Sequence, residues 1–333
     1  MHMADALITP IVGGTMWIST AGIATYSIKK LRLNLDEKKV PLMGVMGAFV
    51  FAAQMINFTI PGTGSSGHIG GGLLLAIILG PYAGFLTMAS ILTIQALFFA
   101  DGGLLSLGCN IINLGFYTCF ITYPYIYKRI LNKGYTRLRL FTAAMIASII
   151  GLQLGSFSVV IETLLSGKTE LPFSSFLLLM QPIHLAIGII EGLVVASVVD
   201  FIWNTKSEII ENTAINKPIG VIGFKKILII LIIITALTGG ILSRFASSNP
   251  DGLEWSMFKV SGQEELEANG PLYETLSTLQ TKTAFLPDYA FKNTEVDKST
   301  SFAGLVGGFL TLLLVLSMGF ILKRFKKRKK VNC

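Results

Sequence analysis

The chain has 333 residues, 52% hydrophobic and 14% charged, with a mean hydropathy of +0.66. That balance excludes a soluble domain and marks an integral membrane protein. The formal charge of +8 comes from basic residues in short clusters between apolar runs, which is the pattern of topology signals and implies no nucleic-acid partner.

The opening MHMADALITP lacks the basic stretch of a secretory signal, so the N-terminus is expected to stay uncleaved. Apolar runs at about 8–28, 41–60, 141–166 and 173–203 are each long enough to cross a hydrocarbon core of roughly 30 Å. Between His68 and Lys128 the apolar sequence is broken at Gly80-Pro81 and Asp101-Gly-Gly103, which predicts three shorter spans. Two more runs, about 226–243 and 303–322, flank a polar stretch. The expected fold is therefore all-α, with nine membrane helices grouped seven plus two.

Basic clusters follow spans 1, 5, 7 and 9: Lys29 to Lys39, Lys128 to Arg139, Lys206 to Lys226, and Lys323 to Lys330. All fall on one side if the N-terminus is outside, because cytoplasmic loops hold the Lys and Arg. The same parity puts residues 61–68, the turn at Asp101 and the acidic segment 244–302 outside. The polar linker 204–225, containing Pro218 and Gly220, is the expected boundary between 1–203 and 226–333.

The stretch GTGSSGH, Gly62 to His68, approaches a phosphate-binding loop, but His68 occupies the Lys position and Ile69 the Ser/Thr position, which removes the chemistry such a loop needs. The glycines let the backbone turn sharply and present His68. The free amine of Met1, His2 and His68 then meet on one side of the membrane. An amino-terminal X-His chelates through the amine, the deprotonated amide nitrogen of His2 and its imidazole Nδ1, and a fourth imidazole from His68 would close a square plane. Such a donor set selects Ni²⁺ or Cu²⁺ over Mg²⁺ or Ca²⁺. Met1 must be retained and deformylated, and the bulky His2 favours retention. Cys109, Cys119 and Cys333 form no C-x-x-C pair, so neither a disulfide framework nor a thiolate zinc site is supported.

Met1-His2 with Asp5, PGTGSSGH (Pro61 to His68), Gly80-Pro81, QALFFADGG (Gln95 to Gly103) and LGCNIINLG (Leu107 to Gly115) resemble the NikM/CbiM family. These are the substrate-binding (S) components of nickel and cobalt energy-coupling-factor transporters. The resemblance covers about residues 1–203, and the tail with PDGLEW (Pro250 to Trp255) resembles the accessory NikN/CbiN component, fused in one chain. It implies a seven-helix S-component bundle in the cell membrane whose N-terminal segment plugs inward. Two C-terminal helices would flank the extracytoplasmic loop. The metal is implied as cargo rather than cofactor. Implied partners are a transmembrane T component and two cytoplasmic ATPases, which would supply the hydrolysis this non-enzymatic subunit lacks. One departure is Ala6, where the family commonly has Gly.

Gln54, Asn57, Gln95, Asn110 and Asn113 lie in apolar surroundings where an unpaired amide is costly. They either bond between helices or, with Asp5 and Asp101, hold the metal ligands from behind. Glu162, His184 and Glu191 are the other intramembrane ionisable groups; His184 reads as a core histidine, since no second His or Cys stands at ligand spacing around it. Two other functions compete with ATP-driven uptake: a proton-coupled secondary metal permease working through Asp101, Glu162, His184 and Glu191, and a membrane metal sensor. The choice between nickel and cobalt stays open, as Co²⁺ fits the same donors.

Overall fold

A backbone surrounded by apolar side chains must bond to itself, and the long apolar runs do so as helices. The computed structural model describes the chain apart from residues 1, 35, 37–38, 168–170, 219–224, 264–265, 267, 292–295 and 332–333. Met1, Gly220 and the end of the linker therefore lie outside the described residues.

The helices are α1 (Pro10–Asn34), α2 (Lys39–Gln54), α3 (Gly72–Leu79), α4 (Pro81–Phe98), α5 (Leu107–Ile111), α6 (Lys128–Leu131), α7 (Arg137–Leu165), α8 (Phe173–Ala214), α9 (Lys225–Gly240), α10 (Gly252–Ser261), α11 (Pro271–Thr283) and α12 (Val296–Val331). Between α5 and α6 the chain stays helical with π-type winding over Ile112–Tyr127, around Pro124. Among the described residues, five helices are long and apolar enough to cross a membrane: α4, α7, α8, the α9 region to Phe245, and α12 from Ser299. Their outer faces carry exposed apolar side chains such as Leu178, Ile232 and Phe309, as expected of surfaces that meet lipid.

Several sequence expectations change in detail. The run at 41–60 is not one span, because α2 ends at Gln54 and the chain turns into a small antiparallel hairpin, β1 (Phe58–Ile60) and β2 (Ser65–Gly67), with Phe58 opposite Gly67. The first of the three short spans is α3, whose eight residues reach only about 12 Å at a rise of 1.5 Å per residue. Its shortness follows from the hairpin, which carries the chain into the bundle: Ser65 and Ser66 are fully buried, and α3 starts from that depth. The linker is helical for its first part, since α8 runs on to Ala214 past a break at Lys206. The polar stretch 244–302 forms α10 and α11.

One hydrophobic core runs through the bundle, from Met3 and Leu7 of the N-terminal segment through α2, α3, α4 and α8 to Val315 of α12. The α9 and α12 helices pack against α2, while α10 and α11 lie across the end where the N-terminal segment, the hairpin and the α4–α5 turn meet.

Candidate metal centre

The N-terminal segment is threaded into the bundle. Met3 and Ile8 are fully buried, Leu7 nearly so, and residues Asp5–Leu7 form one turn of 3₁₀ helix. Ala6 in that turn has no positive φ, so the position does not require glycine. Asn110 grips the segment twice: its Oδ1 accepts from the Met3 amide at 2.8 Å and its Nδ2 donates to the Met3 carbonyl at 3.2 Å. The Ser106 hydroxyl also donates to the Met3 carbonyl. The Ser106 amide donates to Asp5 Oδ1 at 2.9 Å, and the Gly103 amide to the Met3 carbonyl at 2.9 Å. A Cβ on Gly103 would stand 1.8 Å from Asp5 Oδ1, so the DGG turn can approach this closely only with glycine there.

These contacts place His2 against His68. Their rings lie nearly parallel, with centroids 5.1 Å apart and 13° between planes. His2 Nδ1 is 3.2 Å from Asp101 Oδ1, and its side chain is only 6% exposed. Asp101 in turn accepts from the Tyr289 hydroxyl and follows Ala100, held at φ +56. His68 Nδ1 lies 3.0 Å from the Ile69 carbonyl. A carbonyl can only accept, so Nδ1 carries the proton and Nε2 keeps its lone pair. Burial pushes the imidazole of His2 down to about 3 and that of His68 to about 4, so both rings are neutral at physiological pH. Burial raises the Asp101 carboxyl, opposed by its hydrogen bond from Tyr289.

The loop bearing His68 is held from the helices. Gln54 Nε2 donates to the Gly70 carbonyl at 2.8 Å, and Gln95 Nε2 donates to Gln54 Oε1 at 3.0 Å. The carboxylate of Glu191, in the middle of α8, accepts from the amides of Gly70 at 2.8 Å and Gly71 at 3.0 Å. Gly71 takes φ +78, the left-handed conformation that turns two successive amides toward one anion. Asn113 does not reach the histidines: its Nδ2 donates to Glu162 Oε2 at 2.9 Å. Nor does the Asn57 side chain, whose Oδ1 is unpartnered among the described residues; its backbone carbonyl accepts from Ser247.

His184 fits the core reading in part. Its Nδ1 bonds the Met180 carbonyl at 2.8 Å, but Nε2 has no partner among the described residues, and the ring shares a small cavity with His68 and Asp251. Among the described residues, no three His, Cys, Asp or Glu side chains converge closely enough to hold a metal. Cys109 and Cys119 are buried and in no disulfide among the described residues.

Sequence reasoning missed the part played by the C-terminal segment at this end. Ser66 donates its amide to the Pro250 carbonyl at 2.8 Å and its hydroxyl to the Asn249 carbonyl at 2.8 Å. Trp255 Nε1 donates to the Thr63 carbonyl at 2.9 Å. Asp251 caps α10 through the amides of Leu253 and Glu254. Gln280 Nε2 donates to the carbonyls of Ala96 and Gly102, at 2.9 and 2.7 Å, and the Tyr273 hydroxyl to Ile8 at 2.7 Å. The available signal was the PDGLEW turn, whose Asp-x-x-Glu spacing is that of a capping box.

Residues 2–209 match the family model described as the cobalt uptake substrate-specific transmembrane region (CbiM), and residues 225–324 match the PDGLE domain. A putative fused nickel transport protein NikMN of Archaeoglobus fulgidus is 33% identical over 98% of this chain and 99% of its own length. A cobalt transport protein CbiM of Clostridium tetani is 26% identical over 63% of this chain and 88% of its own. The crystal structure of a truncated transition metal transporter superposes on 62% of this chain and 99% of its own, with a TM-score of 0.55 and 29% identity.

Proposed function

Because this chain belongs to the CbiM family of nickel and cobalt transport proteins and carries a PDGLE domain, we propose that it is the metal-selective membrane subunit of an energy-coupling-factor transporter. In this reading it binds Ni²⁺ or Co²⁺ at the outer face through the Met1 amine, the amide and imidazole of His2, and His68. The N-terminus and the site end of the bundle face outward, and the basic C-terminal tail faces the cytoplasm. A T component and two ATPases drive release inward. Residues 1–203 form the metal-binding part and 226–333 the NikN/CbiN-like part.

The observation that carries the reading is the near-parallel pair of neutral imidazoles at 5.1 Å. With only two imidazoles converging, a chelate that takes its remaining donors from the backbone supplies what the described side chains lack. His68 Nε2 already offers a lone pair. At His2 the metal would replace the Nδ1 contact to Asp101, moving the ring proton to Nε2. The Gln95 side chain lies within reach of that ring, and its Oε1 is unpartnered in the structure, so it can accept the relocated proton's hydrogen bond.

The intramembrane acids support positioning roles rather than a proton relay. Glu191 is taken up by two loop amides, and Glu162 accepts from Asn113 and Ser158. Metal content of purified protein offered equimolar Ni²⁺ and Co²⁺ tests the reading: His2→Ala and His68→Ala each lose the bound metal, while His184→Ala keeps it. Full loading of the His2 variant, or an empty His184 variant, would move the site elsewhere.

A further inference from the structure

At 3.6 residues per turn, Leu272, Leu276 and Leu279 of α11 fall on one face, and Glu274, Thr278 and Thr281 on the other. Leu276 packs against the core beside Tyr273, but Leu272 and Leu279 stay 42% and 48% exposed, and Phe285, just past the helix, 46%. Hydrogen bonds fix the height at which these side chains lie. Near the start of α11 the Tyr273 hydroxyl donates to the Ile8 carbonyl, two residues before α1 begins at Pro10. Toward its end, Gln280 Nε2 donates to the carbonyls of Ala96, inside α4, and Gly102, just past it. The amides of Leu286 and Asp288 donate to the carbonyls of Phe98 and Phe99 at 3.3 and 2.8 Å, and the Phe285 ring lies 5.8 Å from that of Phe98. Phe98 is the last residue of α4, a helix long and apolar enough to cross a membrane. The α11 helix therefore runs along the rim of the bundle, from the start of α1 to the end of α4, level with the end of a span.

We propose that α11 is an interfacial helix, whose Leu272 and Leu279, with Phe285 beyond it, insert into the bilayer leaflet at the site end of the bundle. An amphipathic helix lying in the plane of a membrane buries its apolar face about 5–10 Å into the boundary of headgroups and acyl chains, and keeps its polar face in water. The face of Glu274, Thr278 and Thr281 suits that water. Lys282, on the flank between the two faces, can lay its stem along the apolar side and extend its ammonium to lipid phosphates. Lipid already surrounds the bundle at this height, so the leaflet reaches these side chains without any further component. The insertion continues the lipid-facing surface of the spans onto the segment that covers His2 and His68. That segment is then held by the bundle on one side and by the bilayer on another.

Tryptophan placed on this edge reads its surroundings. Full-length protein is reconstituted into phosphatidylcholine vesicles with and without brominated acyl chains. The emission of Leu279→Trp and Phe285→Trp is taken as the excess over wild type, which supplies the signal of Trp17, Trp203 and Trp255. Thr278→Trp, on the opposite face, is the control. The added emission at 279 and 285 is expected to fall about twofold or more with brominated lipid and to resist acrylamide in the water, while Thr278→Trp shows the reverse. Acrylamide quenching at 279 and 285 equal to that at 278 would overturn the proposal. So would emission that neither quencher reaches, which would mean that a second protein surface covers the face. Each variant replaces an exposed side chain, and the two positions report independently, so a distortion caused by one ring leaves the other to decide.

Discussion

In the proposed site, His2 and His68 are placed so that metal binding would not have to displace protons from doubly protonated rings. Both imidazoles sit well below their ordinary value because burial disfavours the charged form, whereas in the unfolded chain they titrate near 6.5. As pH falls below about 6.5 the unfolded chain takes up protons that the folded chain refuses, so stability declines with falling pH through that window, until the folded values near 4 and 3 are reached. Buried Asp5 and Asp101, whose carboxyls are raised, act in the opposite sense, and so does Glu254, raised to about 7. The histidine contribution is read as a difference: from pH 6.5 to 5 the melting temperature of the metal-free protein in detergent should fall more, or rise less, than that of His2→Phe. Parallel profiles in the two proteins would mean that the His2 ring is hydrated and titrates normally. His68 stands out in the sequence because GTGSSGH fails as a phosphate loop in a specific way, and His2 because it adjoins the terminal amine. The unpartnered Nε2 of His184 was not legible, since its neighbours come from distant elements.

Elements hold these residues through backbone contacts more than through side-chain pairs. Asn110 fixes the Met3 backbone, Gln54 fixes Gly70, and Glu191 fixes Gly70 and Gly71. The N-terminal segment is accordingly bonded along its length, and no local pattern signals so many contacts. Intramembrane amides announced themselves by composition, but their partners are backbone groups that carry no sequence signature. The hairpin at 58–67 was hidden for a related reason: its residues continue the apolar run of α2, and only the inward dip of the chain shortens α3. Glu191 ties α8 to the loop bearing His68, so any shift of α8 would be felt at His68. Glu191→Gln leaves one amide without an anionic acceptor and brings an NH₂ donor against another donor. Metal affinity is expected to fall by about 10- to 100-fold, with partial recovery in Glu191→Asp, while the absorption spectrum of bound metal shifts. Unchanged affinity with an unchanged spectrum would reduce Glu191 to a packing role.

At the scale of the molecule, the C-terminal part wraps the end of the bundle that carries the site. Its hydrogen bonds reach the hairpin through Ser66 and Thr63, the α4–α5 turn through Gln280, and the N-terminal segment through Tyr273. The membrane class and the largely helical fold could be read from apolar run lengths, which are properties of local sequence. The covering of the site by residues 249–289 could not, because it depends on contacts between parts more than 170 residues apart. The central claim is that the chain's own amine is a ligand, and adding one residue before Met1 tests it while preserving every side chain. With native protein loaded with Ni²⁺, the account expects the absorption band of diamagnetic square-planar nickel; with the extended protein, it expects that band and the bound metal to be lost. Nickel retained with an unchanged band despite the extension would contradict it.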